Sequence, residues 1–142
     1  MNLGCLYMIP TTIGDVQDNP KEQIAPSNLN ITIGLTNFIV ENLKTTRRFL
    51  RKLDPEFDID NSTFHILNKH TKLTEINAFL QPCKEGKDIG MISEAGCPGI
   101  ADPGANIVSL AHKENIKVIP LIGPSSIFMA LMASGLNGQN FC

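Results

Sequence analysis

Ile89-Gly-Met-Ile-Ser-Glu-Ala-Gly-Cys-Pro-Gly-Ile-Ala-Asp-Pro-Gly104 is the stretch that decides how this chain is read. An apolar run ends at Ser93, and two acids, three glycines and two prolines then fall between Glu94 and Gly104. A buried parallel strand delivers its C-terminal end to a ligand in this way, because glycine lets backbone approach closely and proline sets the turns. The same residues also suit a plain pair of surface turns between a strand and a helix.

Outward from this stretch, short apolar runs alternate with helical patterns. Cys5–Ile9 is a first strand stopped by Pro10, and Pro10–Asp15 is the loop after it. The polar segment from Val16 to Pro26 reads as irregular, and Ser27 is placed to cap a short helix over Asn28–Thr36. Asn37–Glu41 is a second strand ending on an acid, and Asn42 opens a basic amphipathic helix that closes near Asp54-Pro55. Thr63–Leu67 is a third strand, and a helix with Leu73, Ile76 and Leu80 on one face leads to Pro82. Asp88–Ile92 is the fourth. After Asp102-Pro103, Gly104, Ile107, Val108 and Ala111 recur at helical spacing. Ile116–Ile122 is a fifth strand with Pro120 inside it, and Gly123-Pro-Ser-Ser126 enters a helix from Ile127 to Ala133. That helix is apolar on every side, so it calls for cover on every side. The alternation predicts an α/β domain with a mostly parallel sheet of about five strands flanked by helices. Ligands of such sheets bind beyond the carboxyl ends of the strands. Here those ends carry Pro10–Asp15, Glu41–Thr46, Leu67–Thr71, Ser93–Gly104 and Gly123–Ser126.

Composition narrows the class. The 142 residues suffice for one domain with a full core, and the formal net charge of −2 makes no global case for nucleic acid. The charge is uneven, however: Lys44, Arg47, Arg48, Arg51 and Lys52 fall close together, followed by Lys69, His70 and Lys72. This is either the solvated face of a helix, with Leu43, Leu50 and Leu53 opposite, or a local phosphate-binding patch. Cys5, Cys83, Cys97 and Cys142 form no CxxC pair and have no His at metal spacing, as in a reduced cytosolic protein, and Cys5 belongs to an apolar strand and is expected in the core. The N-terminus shows no basic segment followed by a long apolar run, and no apolar stretch reaches the length of a bilayer span, so a soluble cytoplasmic protein is expected.

Four segments, in order, carry a resemblance to a known family: Leu6-Tyr-Met-Ile-Pro-Thr-Thr-Ile-Gly-Asp15; the Val40-Glu41 strand end; Ile92-Ser-Glu-Ala-Gly-Cys-Pro98 with Ala101-Asp-Pro-Gly104; and Pro120-Leu-Ile-Gly-Pro-Ser-Ser126 running on to Ala133-Ser-Gly-Leu136. The chain resembles the N-terminal half of a tetrapyrrole-methylase-type methyltransferase dependent on S-adenosylmethionine (SAM). It is most similar to the branch that methylates a ribose 2′-hydroxyl of small-subunit ribosomal RNA. It departs from that branch at Glu94, where an aspartate is usual, and at Cys97, where a threonine is usual. Glu41-Asn-Leu-Lys-Thr-Thr46 replaces the branch's Glu-Asp-Thr-Arg-His-Thr, and Asn68-Lys-His-Thr71 replaces its His-Asp-His-Asn. The altered loops are those expected to meet substrate. Family members continue into a second α/β domain that closes over SAM. Residues 1–136 are accordingly expected to be the N-terminal methyltransferase domain and 137–142 the start of a link to a domain that is missing, which agrees with the uncovered apolar helix.

The resemblance implies that Glu94, Ala95, Gly96, Cys97, Ser125 and Ser126 hold SAM, with Pro10 and Thr11 completing the floor, and that Glu41, Arg47 and Arg48 meet substrate. It further implies ribosomal RNA or the small subunit as partner, a homodimer, and no metal. The chemistry is consistent: helix N-terminal N–H groups suit the methionine carboxylate, and apolar walls suit adenine. A sulfonium already holds a good leaving group, so the protein must chiefly position the acceptor. A base would help a hydroxyl to attack, and Glu41, Glu94, His70 and Asp102 are the candidates, none singled out. Each has a plainer role open to it: Asp102 as a helix cap, Glu94 as a loop or ribose anchor, Glu41 as a strand-end acid, His70 as surface. Ser125 and Ser126 could equally be helix caps. Two other functions stay open, a methyltransferase for a tetrapyrrole or other small molecule, and a non-catalytic assembly module that pairs through the apolar helix.

Overall fold

The computed structural model describes residues 2–14, 19–68 and 70–142, so Asp15, Val16 and Lys69 of the sequence reading lie outside the described residues. In chain order the elements are β1 (Cys5–Ile9), a 3-10 turn (Pro20–Glu22), α1 (Pro26–Ile33), β2 (Asn37–Val40), α2 (Leu43–Leu53), β3 (Thr63–Ile66), α3 (Leu73–Phe79), α4 (Gln81–Lys84), β4 (Ile89–Ile92), α5 (Gly104–Lys113), β5 (Lys117–Pro120) and α6 (Ser126–Ser134). The five strands pair in the order β3-β2-β4-β1-β5, and every pairing is parallel. The expected α/β architecture is what forms.

Helices cover both faces because parallel strands need crossovers, and right-handed crossovers running in opposite directions land on opposite faces. The chain moves from β1 to β2 to β3 toward one edge, which puts α1 and α2 on one face. Ile9, Phe38, Val40 and Ile92 of the strands meet Leu50 of α2, Leu35, Phe57 and Ile59 there. The return through β4 to β5 puts α3, α4 and α5 on the other face. There Leu6, Met8, Ile39, Ile89 and Met91 meet Ile76, Phe79, Leu80, Cys83, Ile107 and Ala111. Strand residues alternate between the two clusters, as a period of two requires. Burial in the second cluster pushes the Cys83 thiol up to about 12. Cys5 is only half-buried, at the outer end of β1.

The element ends differ from the sequence reading in ways that have local causes. The helix expected over Asn28–Thr36 begins two residues earlier, since Pro26 is preset for a first turn; Ala25 is the N-cap, so Ser27 is not the cap. Asn42 caps α2 as expected, its side chain accepting from the Lys44 and Thr45 N–H groups at 3.0 and 3.3 Å. The fifth strand ends at Pro120 and lies on the edge of the sheet, where a missing N–H costs no ladder bond. The apolar α6 packs on no core face. None of its residues is buried, and Met132 is 84% exposed.

Gly90 is the tight point of the centre. It sits in register with Tyr7 and Phe38, and a Cβ there would lie 2.5 Å from Ile9 Cδ1, 3.0 Å from Leu35 Cδ1 and 3.1 Å from Phe38 Cδ1. Gly90→Val is expected to destabilise the fold by about 1–3 kcal/mol through overpacking, read from the urea midpoint.

On β3, His65 stacks on Phe79 with ring centroids 5.1 Å apart, and its Nε2 has no hydrogen-bond partner among the described residues. Burial holds its imidazole below the ordinary value. The folded state therefore keeps His65 neutral, and the unfolded chain takes up the proton first as the pH falls below about 6.5. The stability tied to the neutral ring is present above that pH and is lost as the pH falls toward the depressed folded value. The urea midpoint of the native sequence should drop on acidification through this range, and His65→Phe should flatten that part of the curve.

Candidate functional site

The pairing of β1 with β4 brings two loops that are distant in sequence side by side at the carboxyl edge. The Thr11 N–H donates to the Gly96 carbonyl at 2.9 Å, and the Thr11 hydroxyl donates to the Ser93 carbonyl at 3.4 Å. On the other flank of β4, the Glu41 N–H continues the β2 ladder to the Ile92 carbonyl at 3.4 Å. Glu41 then turns its carboxylate to the loop two residues on, and its Oε2 accepts from the Glu94 N–H at 3.1 Å. Glu94 in turn accepts through Oε1 from the Thr45 hydroxyl, in the first turn of α2. Glu41 and Thr45 beyond β2 thus tie that strand end to Glu94 beyond β4, and Thr11 adds the end of β1.

Asp102 organises the far end of the same loop. Both its carboxylate oxygens take the Gly99 N–H, at 2.9 Å each, and Oδ1 also takes the Gly104 N–H at 2.7 Å. Asp102 is not the N-cap expected of it: Pro103 holds that position, and the Asp102 carboxylate reaches the first helical N–H from one residue further out. Its second bond folds the loop back on itself and holds Ala101 at φ +59, a left-handed backbone that a non-glycine residue adopts at a cost. A Cβ on Gly104 would meet the Met91 methyl, the end of a flexible side chain that would have to shift aside.

The turn between β5 and α6 closes the opposite side. The Cys97 thiol donates toward the Pro124 and Gly123 carbonyls, at 3.3 and 3.7 Å, and burial raises its pKa. Gly123 lies so close over the buried Pro10 ring that a Cβ would overlap Pro10 Cβ and Cγ. Ser125 is the N-cap of α6 and accepts from the Phe128 N–H at 3.5 Å, while Ser126 is exposed at the first helical position.

The residues expected to hold a cofactor therefore surround one loop but face two sides of it. Gly96 and Cys97 face the β5–α6 turn with Ser125, and Pro10 lies beneath it. Glu94 and Ala95 open instead onto a cleft of about 240 Å³, shared with Thr11, Thr12, Thr45, Arg48, Phe49 and Lys52. Of the basic residues of α2, Arg48 and Lys52 line this cleft. Arg47 stands over the Phe64 ring, 5.5 Å from its centroid, and Arg51 Nη1 donates to the Pro55 carbonyl at 2.6 Å. His70 lies beyond β3 at the sheet edge, its N–H on the Asn68 side chain at 2.8 Å. Sequence reasoning missed Thr45 and Phe49. Their spacing with Arg48 and Lys52 (i, i+3, i+4, i+7) was legible, but which stripe of the helix meets the loops was not.

Over 140 residues, 99% of its length, the chain is 34% identical to ribosomal RNA small subunit methyltransferase I of Buchnera aphidicola subsp. Acyrthosiphon pisum. The proteins of the same name from Vibrio cholerae and Escherichia coli O157:H7 are each 32% identical, over 96% and 98% of the chain. The chain is a homologue of these methyltransferases. It spans about half their length, 46%, 44% and 45% respectively. The fold is that of cobalt precorrin-4 methyltransferase, a cobalamin biosynthetic enzyme (TM-score 0.63, 16% identity, 93% of this chain and 51% of that one). The methyltransferase CobJ shares it too (TM-score 0.64, 18% identity, 98% and 54%). The resemblance read from the four motifs is borne out, and the tetrapyrrole-methylase fold with it. No family model matches the chain.

Asp102→Ala leaves two backbone N–H groups without their carboxylate. It is expected to cost about 1.5–3 kcal/mol in the urea-derived stability, whereas Glu41→Gln, which keeps an acceptor for the Glu94 N–H, should cost little.

Proposed function

We propose that this chain carries the cofactor-binding and acceptor-facing half of a SAM-dependent methyltransferase whose acceptor is a ribose 2′-hydroxyl of small-subunit ribosomal RNA. The observation that carries the reading is the placement of the Ser93–Gly104 loop, with the basic stripe of α2 on one side and the β5–α6 turn on the other. The homology over nearly the whole chain supports it.

The residues present fit the cofactor. Beside the loop, Met8, Pro98, Val118 and Pro120, with His112 and Lys113 of α5, help line a mostly apolar groove of about 680 Å³, a size suited to an adenosine. The N-terminus of α6, with Ser126 exposed, offers N–H groups to a carboxylate. In this reading Gly96, Cys97, Ser125 and Ser126 hold SAM, and Pro10 supports them from below. SAM supplies an activated methyl group, and no metal is needed. Bound there, SAM would give that methyl to the acceptor oxygen and depart as S-adenosylhomocysteine, and the hydroxyl proton would pass to a base or to water. The chain's task is to hold the acceptor in line, a contribution of up to roughly 7–11 kcal/mol in well-oriented systems. Among the candidate bases, Asp102 is committed to backbone and His70 lies at the edge, whereas the exposed Glu94 faces the cleft.

Residues 1–136 act in this reading as one of two domains around the cofactor, with 137–142 leading to the other. A ribosomal acceptor places the enzyme in the cytoplasm, and the exposed apolar face of α6 favours self-association as a homodimer. Isothermal titration of this chain with SAM and S-adenosylhomocysteine is the test. Binding is expected, weakened about tenfold or more by Ser126→Ala, roughly one lost hydrogen bond to a charged group, and left nearly unchanged by Glu94→Ala, whose side chain faces the other cleft. Absence of binding by the folded chain would overturn the assignment.

A further inference from the structure

The cleft between the first loop and α2 has its own chemistry. Four α2 residues line it, Thr45, Arg48, Phe49 and Lys52, and they form one stripe at spacing i, i+3, i+4 and i+7. The stripe runs about 10 Å along the helix axis. From its N-terminal end it carries the Thr45 hydroxyl on the Glu94 carboxylate, then Arg48, the Phe49 ring and, at the C-terminal end, Lys52, so the ring lies between the two cations. Thr11 and Thr12 form the facing wall. Cations that track a backbone, together with an aromatic ring between them, are the means by which proteins hold an unpaired nucleic-acid strand. A surface that bound only a small acidic molecule would not require a polarity along its length.

We propose that this cleft is the acceptor-strand subsite, distinct from the cofactor side of the Ser93–Gly104 loop. Arg48 and Lys52 take a phosphodiester of a single RNA strand, Phe49 takes the face of a base, and the neighbouring ribose lies toward Glu94. The proposal rests on the RNA reading given above. It divides the basic helix in two: Arg48 and Lys52 bind the strand, whereas Arg47 and Arg51 serve the protein through Phe64 and the Pro55 carbonyl.

The test is the salt dependence of binding between this chain and a short fluorescein-labelled single-stranded RNA of small-subunit ribosomal sequence, followed by anisotropy. Each phosphate contact on a single strand contributes about 0.7 to the slope of log K against log salt. Arg48→Gln and Lys52→Gln should each lower the slope by about that amount, and Arg48→Lys should restore it. Arg47→Gln and Arg51→Gln should leave it unchanged. Arg48 and Arg47 are both exposed, so matching thermal melts will show that the variants are folded. If Arg47 and Arg51 carry the slope and Arg48 and Lys52 do not, the cleft assignment falls while the RNA reading stands. If the wild-type chain binds SAM but no RNA at any salt concentration, the RNA reading falls and takes the cleft assignment with it.

Discussion

The parallel ladder between β1 and β4 is the contact on which the site depends. Its register, Leu6 against Ile89 through Ile9 against Ile92, ends both strands at the same level. The loops that follow them must then lie side by side, and Thr11 joins Gly96 and Ser93 by hydrogen bonds. The ladder is possible because position 90 lacks a side chain. Leu35, Phe38 and Ile9 close over that position, and a larger residue would force them apart. A core constraint and the geometry of the site are therefore one constraint.

From that ladder the crossovers follow. β1 leads away across β4 on one face, and β4 leads back across β1 on the other, so the chain reverses direction at the middle of the sheet. Open α/β sheets bind ligands at such a reversal, because neither connection covers the strand ends. The polar groups there satisfy one another: Glu41 takes the Glu94 N–H, Glu94 takes the Thr45 hydroxyl, and Asp102 takes two loop N–H groups. Such a network fixes the backbone of a glycine-rich loop that would otherwise be costly to order. The left-handed Ala101 is a local sign of that cost.

The amphipathic α2 links packing to recognition. Leu50 and Leu53 are buried, and the remaining surface divides between two flanks. One flank rests Arg47 on Phe64, and the other brings Arg48 and Lys52 to the cleft beside Glu94. A run of like charge in sequence thus becomes two groups with different surroundings. The same logic applies to the two sides of the Ser93–Gly104 loop, where Cys97 is drawn to the β5–α6 carbonyls and Glu94 to α2.

The order and type of the main elements were legible in the chain itself, because short apolar runs punctuated by proline and glycine alternate with helical spacing. So were the loops that gather at the site, since parallel strands send all their carboxyl ends to one edge, and the motifs that tie the chain to methyltransferases. Caps and ends depended on single residues: Pro26 set the start of α1 in place of Ser27, and Pro120 ended β5. Only the tertiary structure decided which strands are neighbours, and so which loops touch. Thr45 meets Glu94 across 49 positions of sequence because β2 lies against β4, a pairing that no local pattern specifies. Which stripe of α2 meets the cleft was settled in the same way, by the rotation at which Leu50 and Leu53 enter the core. Local sequence sets what a segment can form, whereas long-range packing sets what its side chains can reach.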